Sequence, residues 1–447
     1  MGNFIFLPLW QIILLAIVGP AVLIIIVKKP NFFWPILISV LVATSGLMLK
    51  GYCLVEEYLV GCILVGVFLA ISAGTVKLKK DTTFSLHKLI FYLMIIYVMA
   101  QSFRGMVIWQ DWRIIRWVIY YAMLGLLLYV ISKAELHVPN PKQISLIASI
   151  GGLIYLCAYF LYGLYYELKL GVDQRFVMQG VGWSGPAYAL FPLAIILLSA
   201  VFLLKDDSGK RRWLGLITIG ISVIVSFFYY ARVGRFSIII ILIASLPILG
   251  FKKLAKVFIC LLIIYPIFFY TNKYTIRSKQ HFKEEIIYSV KDLEHVKFLW
   301  SAHSHDMDRN LQNKISFAAV NKNWNTLFFG YGIHSHHYVL VPYKKEFYAQ
   351  YLPNEKVGDV VRTTAFAALL TDTGLVGIAL LIMNFLLSAR EVFLQLKSSD
   401  LKKYACFFLS IFLISFFWLF ITNIQDIMLF YSLIMPSGLI SQLSKQI

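Results

Sequence analysis

Residues 4–27 read FIFLPLWQIILLAIVGPAVLIIIV, twenty-four consecutive positions without a charged side chain. A helix rises about 1.5 Å per residue, so a run of this length covers the roughly 30 Å of hydrocarbon in a bilayer. A cleaved secretory signal opens on basic residues, and none precedes this run, so it is expected to stay as a membrane span. Similar runs recur outward from it, near 31–49, 58–75, 87–103, 115–132, 143–165, 186–204, 213–230, 235–250, 254–271, 364–388, 404–421 and 427–441. The chain is 60% hydrophobic and 14% charged, against about half and about a quarter in soluble domains. The expected fold is an all-α polytopic membrane protein of twelve to fourteen transmembrane helices, counted here as thirteen spans.

Charge then sets sidedness. Alternate connections carry Lys28 and Lys29; Lys77, Lys79 and Lys80; Lys133 and Lys142; Lys205, Lys210, Arg211 and Arg212; Lys252, Lys253 and Lys256; and Lys397, Lys402 and Lys403. Cytoplasmic loops collect Lys and Arg, so this set is expected inside. The net charge of +19 is thereby read as topology, and no nucleic-acid partner is expected. Five scattered cysteines, without a CxxC pair, support neither a zinc knuckle nor a disulfide framework.

The opposite set of connections contains one long segment, which divides the chain into an N-terminal bundle (1–270), a large outward or periplasmic loop (271–363) and C-terminal spans (364–447). A connection of that length is usually functional. It carries NTLFFGYGIHSHHYVL, Asn325 to Leu340, with a turn on Gly330, Tyr331 and Gly332 followed by His334, His336 and His337. Three readings are open for these imidazoles: exposed loop residues, proton transfer near neutral pH, or a metal site shared with His303 and His305.

Arginines on the outward side run against the topological bias. Arg175 lies in GVDQRFVMQGVGWSGPAYAL, Arg232 and Arg235 in YYARVGRFS, Arg309 in DMDRNLQNKISFAAV, and Arg362 ahead of TTAFAALLTDTGLVG. The planar guanidinium grips phosphate oxygens in pairs, so a diphosphate at the outer leaflet would explain them; head-group contacts or salt bridges to loop acids are the plainer alternative. Asp372 falls about two turns into its span, where an ionisable group is costly unless paired or wet, and an arginine from a neighbouring mouth is a candidate partner. Trp300, Trp324, Tyr331 and Tyr338 suit either pyranose stacking or interfacial anchoring.

Three blocks together resemble the O-antigen ligase and polymerase superfamily. YYARVGRFSIIIILIASL is similar to its arginine-bearing turn. MDRNLQNKISFAAVNKNWNTLFFGYGIHSH looks like its large-loop segment, and RTTAFAALLTDTGLVGIALLIMNFLL resembles its closing segment. They cover about 150 residues in the family's order. The resemblance implies a C-type membrane glycosyltransferase at the periplasmic face of a bacterial inner membrane. Its substrate would be an undecaprenyl-diphosphate-linked oligosaccharide, with no metal or other cofactor, and with membrane lipids and a chain-length regulator as further partners. Carried over by position, the turn arginine falls on Arg232 or Arg235 and the loop arginine on Arg309. The family's ligases place a histidine eleven residues before the first glycine of Gly-x-x-Gly, and here that position is Thr363. The expectation is therefore a polymerase of surface polysaccharide, with a ligase to lipid A–core or protein as the nearest alternative. Arg232, Arg235, Arg309 and His336 are the expected catalytic group; Arg175, Arg362, Tyr331, His334, His337 and Asp372 are expected on substrate. A lipid-linked oligosaccharide flippase is the reading from another class, but transporters concentrate polar groups near the midplane, and these spans are nearly free of charge there.

Overall fold

The computed structural model describes residues 13–43, 48–49, 53–78, 86–137, 141–170, 196, 199–201, 203–204, 208–229, 250–251, 255, 259, 307–336, 338–340, 342 and 365–395. The fold among them is mostly helical. A single π-turn, Leu14–Val18, leads into α1 (Gly19–Lys28), whose first turn takes Pro20 without losing a bond, since amides there have no acceptor within the helix. Then come α2 (Phe33–Ala43), α3 (Val55–Ser72), α4 (Leu86–Trp109), α5 (Ile115–Lys133), α6 (Pro141–Leu170) and α7 (Gly209–Tyr229). Three more follow: α8 (Met307–Val320), α9 (Trp324–Phe329) and α10 (Ala365–Gln395).

The apolar run at 31–49 is not one helix. α2 takes its first part, and Met48–Leu49 (β1) pairs antiparallel with Cys53–Leu54 (β2), with Met48 opposite Leu54 and Leu49 opposite Cys53. Apolar composition alone does not separate a buried helix from a short strand. Among the described residues the runs near 58–75, 87–103, 115–132, 143–165, 213–230 and 364–388 fall on helices, although α4 continues to Trp109, past the expected end at 103. The runs near 235–250, 254–271, 404–421 and 427–441 and most of 186–204 lie outside the described residues.

Leu86–Trp109, Ile115–Lys133 and Phe366–Arg390 are each long and apolar enough to cross a membrane. They have large apolar side chains both inside and outside the bundle. Phe91, Met94, Tyr121 and Leu127 are buried, whereas Ile96, Val107, Ile119 and Leu386 are exposed. Such helices, apolar all round, suit a hydrocarbon surrounding. The helices pack in a chain of neighbours, α7 on α6, α6 on α2, α2 on α3, α3 on α5, α5 on α4 and α4 on α10, with α1 against α3. Ser388 Oγ and His87 Nε2, both buried, lie 2.7 Å apart and fasten α10 to α4.

What positions the site is a break in α10. Gly374 has φ 64° and ψ −166°, outside the helical region. A Cβ there would also sit 2.5 Å from the Phe328 carbonyl, so only glycine lets the α9 turn approach this closely. A break leaves helix carbonyls in need of donors. Here three successive carbonyls take them from elsewhere: Tyr331 N–H donates to Thr371 O (2.9 Å), Gly332 N–H to Asp372 O (2.9 Å), and the Tyr97 hydroxyl to Thr373 O (2.6 Å). Backbone opened inside a low-dielectric bundle persists only when other protein groups satisfy it in this way.

Candidate functional site

The site grows from the chain that fills that break. α9 starts on a reciprocal cap, in which Asn323 Oδ1 accepts from Thr326 N–H (2.8 Å) and Thr326 Oγ1 accepts from Asn323 N–H (3.4 Å). It stops at Gly330, in the left-handed region (φ 65°). Gly332 (φ 100°) then crosses α4 so closely that a Cβ would lie 2.5 Å from the Gly105 nitrogen, and Ile333 N–H donates to Gln101 O at 3.0 Å. The segment is thus held between α4 and the two halves of α10.

Its next residues close over Asp372, which is 3% exposed. His334 N–H donates to Oδ2 (2.8 Å), while the Ser335 hydroxyl and His336 N–H both donate to Oδ1 (2.8 Å each). His336 Nδ1 lies 2.9 Å from Oδ2. A carboxylate only accepts, so Nδ1 carries the proton and Nε2 is the ring's remaining nitrogen. His334 turns the chain with φ 70°, a conformation that few non-glycine residues adopt. Its ring lies 5.7 Å from that of His336 and 6.4 Å from Trp117, and the Arg116 guanidinium sits 5.2 Å over Trp117.

A second carboxylate holds the far end. Tyr338 stacks on Trp109 at 4.9 Å, and its hydroxyl donates to Asp111 Oδ2 at 2.8 Å, with Asp111 buried. The Tyr331 hydroxyl donates to Ala319 O of α8 at 2.9 Å, and Ser316 of α8 donates to Ala367 O of α10 at 2.9 Å. α8 and α9 both pack on α10.

Of the residues expected from sequence, His334, His336, Tyr331 and Asp372 come together here. Among the described residues the side chain that pairs with Asp372 is His336, not an arginine, because the loop folds back into the helix break and delivers three consecutive residues to one carboxylate. The hydroxyls of Tyr331 and Tyr338 bond to protein groups and lock the loop, while Trp324, 76% exposed, stacks on Phe328. Arg309 belongs to α8. Arg175, Arg232, Arg235, Arg362, His337, His303, His305 and Trp300 lie outside the described residues. Among the described residues no group of three or more His, Cys, Asp or Glu side chains is arranged to hold a metal ion.

Sequence reasoning passed over Ser335, Asp111, Trp117, Arg104 and Arg116. Arg104 donates to Phe329 O at 3.3 Å, at the base of the turn. The signal was present in SFRGMVIWQDWRIIRW, residues 102–117, three arginines in a stretch flanking a connection expected to face outward. The rule that singled out Arg175 and Arg362 selects these as well. No family model matches the chain, and no curated protein or solved structure matches it either.

Proposed function

We propose that this chain is a polytopic, membrane-embedded glycosyltransferase that polymerises surface polysaccharide at the periplasmic face of a bacterial inner membrane. The reading rests on one observation, the histidine-bearing loop seated in the broken end of a membrane-length helix, with arginines beside it. Polarity gathered at one end of the bundle, with basic loops at the other, suits chemistry on lipid-borne substrates better than transport through the midplane.

In this reading the donor is a growing glycan on undecaprenyl diphosphate, and the acceptor is a sugar hydroxyl of the next lipid-linked repeat unit. The hydroxyl oxygen bonds to the anomeric carbon, the bond from that carbon to the diphosphate breaks, and the electron pair leaves with the diphosphate. Arg232, Arg235 and Arg309 hold the charge developing on the leaving group, with Arg175, Arg362, Arg104 and Arg116 as further candidates. A second reading keeps its place. The missing ligase histidine spoke against transfer to lipid A–core, yet His336 offers an imidazole in the same loop.

The test is purified protein in detergent with undecaprenyl-diphosphate-linked repeat units, followed by glycan ladder with and without EDTA. A ladder that survives EDTA and falls by two orders of magnitude or more in Arg232→Ala, Arg235→Ala or Arg309→Ala is the expected outcome, on the scale of about 10²–10³ for one oxyanion donor. No ladder from folded protein given the correct repeat unit overturns it. Product on added lipid A–core would make the chain a ligase.

A further inference from the structure

We infer that Met307–Leu340 is a re-entrant segment, one that enters the outer leaflet and leaves by the same face, and that the aromatic side chains along it form a surface for the acyl chains of phospholipid. The inference goes beyond the glycosyltransferase reading and shares with it only the crossing of the membrane by α4 and α10.

Contacts along the two long helices trace the path. α8 meets α10 near its outer end, where Phe317 lies 6.0 Å from Phe366 and the Ser316 hydroxyl donates to Ala367 O at 2.9 Å. α9 meets the same helix further in, at the level where a Cβ on Gly374 would lie 2.5 Å from Phe328 O. The chain turns there on Gly330 and Gly332 and crosses to α4, with Ile333 N–H on Gln101 O and Gly332 against Gly105. It then climbs α4, since Tyr338 stacks on Trp109, the last residue of that helix, and bonds to Asp111 beyond it. Phe366 and Gly374 are eight residues apart, as are Gln101 and Trp109. At about 1.5 Å per residue, both helices put the turn about 12 Å in from their outer ends. The 24 residues of α4 rise about 36 Å against about 30 Å of hydrocarbon, so a centred helix projects about 3 Å at each end. The turn then lies about 9 Å below the hydrocarbon boundary.

Two further observations fit chain at that depth. Every backbone N–H from Gly330 to His336 donates to a protein acceptor. Water would supply such partners outside a membrane; within it, non-helical backbone persists only where protein supplies them. The exposed side chains follow the same gradient. At the deep end, Phe328 and Phe329 are 41% and 44% exposed, at much the level where α4 exposes Phe103 and Val107. At the start of α9 the exposed residues Asn321, Lys322, Asn323 and Asn325 surround Trp324, polar groups and an indole ring of the kind that sit at head-group level. Arg104 donates to Phe329 O and stands five residues from the end of α4, close enough to the boundary for its guanidinium to extend to phosphate. An exposed aromatic patch standing alone would fit a protein partner as well as lipid. This patch continues the outward apolar face of α4, the surface that suits hydrocarbon, and that continuity selects acyl chains.

Two measurements on the full chain, in vesicles of phosphatidylcholine and phosphatidylglycerol, test this. In the first, native cysteines are replaced and single nitroxides are placed at Phe317→Cys, Trp324→Cys, Phe328→Cys and Phe329→Cys. Ile96→Cys in the middle of α4, Phe103→Cys and Trp112→Cys calibrate depth. Relaxation by oxygen, which concentrates in hydrocarbon, is compared with relaxation by chelated nickel, which stays in water. The ratio at Phe328 and Phe329 is expected to match that at Phe103 and to exceed that at Trp112 several-fold, with Phe317 and Trp324 between. Nickel reaching Phe328 and Phe329 as freely as Trp112 overturns the inference, because the segment then lies in water. Labels there that neither reagent reaches overturn it too, because protein then covers the face. The second measurement leaves the sequence unaltered. Phospholipid with a diazirine in its acyl chain should, on illumination, leave adducts on residues 324–329 as it does on α4. Adducts on α4 with none on 324–329 would refute the lipid surface. Ile96 open to nickel would sink the membrane crossing of α4, and with it the glycosyltransferase reading. Ile96 in hydrocarbon with Phe329 in water sinks the re-entrant segment alone.

Discussion

Asp372 collects four donors on two oxygens, from His334, Ser335 and His336, consecutive in sequence and 36 to 38 residues away. Removing one partner of a buried charged pair costs about 3–5 kcal/mol, because the group left behind loses both solvent and partner. Asp372→Ala is therefore expected to lower stability by about that amount, read as thermal unfolding in detergent. Ser335→Ala, losing a single bond, should cost about 1–3 kcal/mol. Equal losses from the two variants would mean that the carboxylate does not organise the segment. At this scale the sequence pointed to the right residue for the right reason: an ionisable group two turns into an apolar span must be paired. The sequence offered an arginine from a neighbouring mouth as a candidate partner; which side chain arrives depends on where the loop turns back, and His334–His336 carry no local mark of that.

At the scale of the element, the break in α10 makes the docking surface. Gly374 has a backbone that other residues adopt only under strain, costing on the order of 1–3 kcal/mol, and a Cβ would meet the Phe328 carbonyl at 2.5 Å. Gly374→Ala is thus expected to straighten α10 and release the turn. Hydrogen exchange at the amides of Tyr331 and Gly332, which donate to Thr371 and Asp372, checks this. Faster exchange at those two with unchanged protection in the middle of α4 is the expected result, and unaltered protection at all of them would refute it. The helices themselves were legible, α5 almost to the residue, since long apolar runs leave little choice of structure. The break was not. Gly-x-x-Gly inside an apolar helix is tolerated at about 1 kcal/mol relative to alanine, so its presence does not say whether the helix continues. The run at 31–49 shows the same limit, with β1 taking its end.

For the whole molecule, sidedness carries the functional reading, and one labelling experiment tests it. With the native cysteines replaced, Trp112→Cys, at a position 75% exposed beside the site, should react with a membrane-impermeant maleimide added from the periplasmic side. Lys77→Cys should react only once the membrane is opened. The reverse pattern would put the histidine loop in the cytoplasm and remove a periplasmic lipid-linked donor from consideration. Apolar runs and their lengths led by themselves to an expectation of thirteen helical spans and marked the residues too polar for their place; the described residues are mostly helical, and three of their helices are long and apolar enough to cross a bilayer. Those are local properties, decided by the transfer of each segment out of water. Tertiary structure alone decided that the loop enters a broken helix, that three carbonyls there take donors from α4 and the turn, and that Asp372 meets His336. These contacts join residues far apart in the chain, and they form only where glycine backbones pass within a few ångströms of one another, a condition set by how the helices pack.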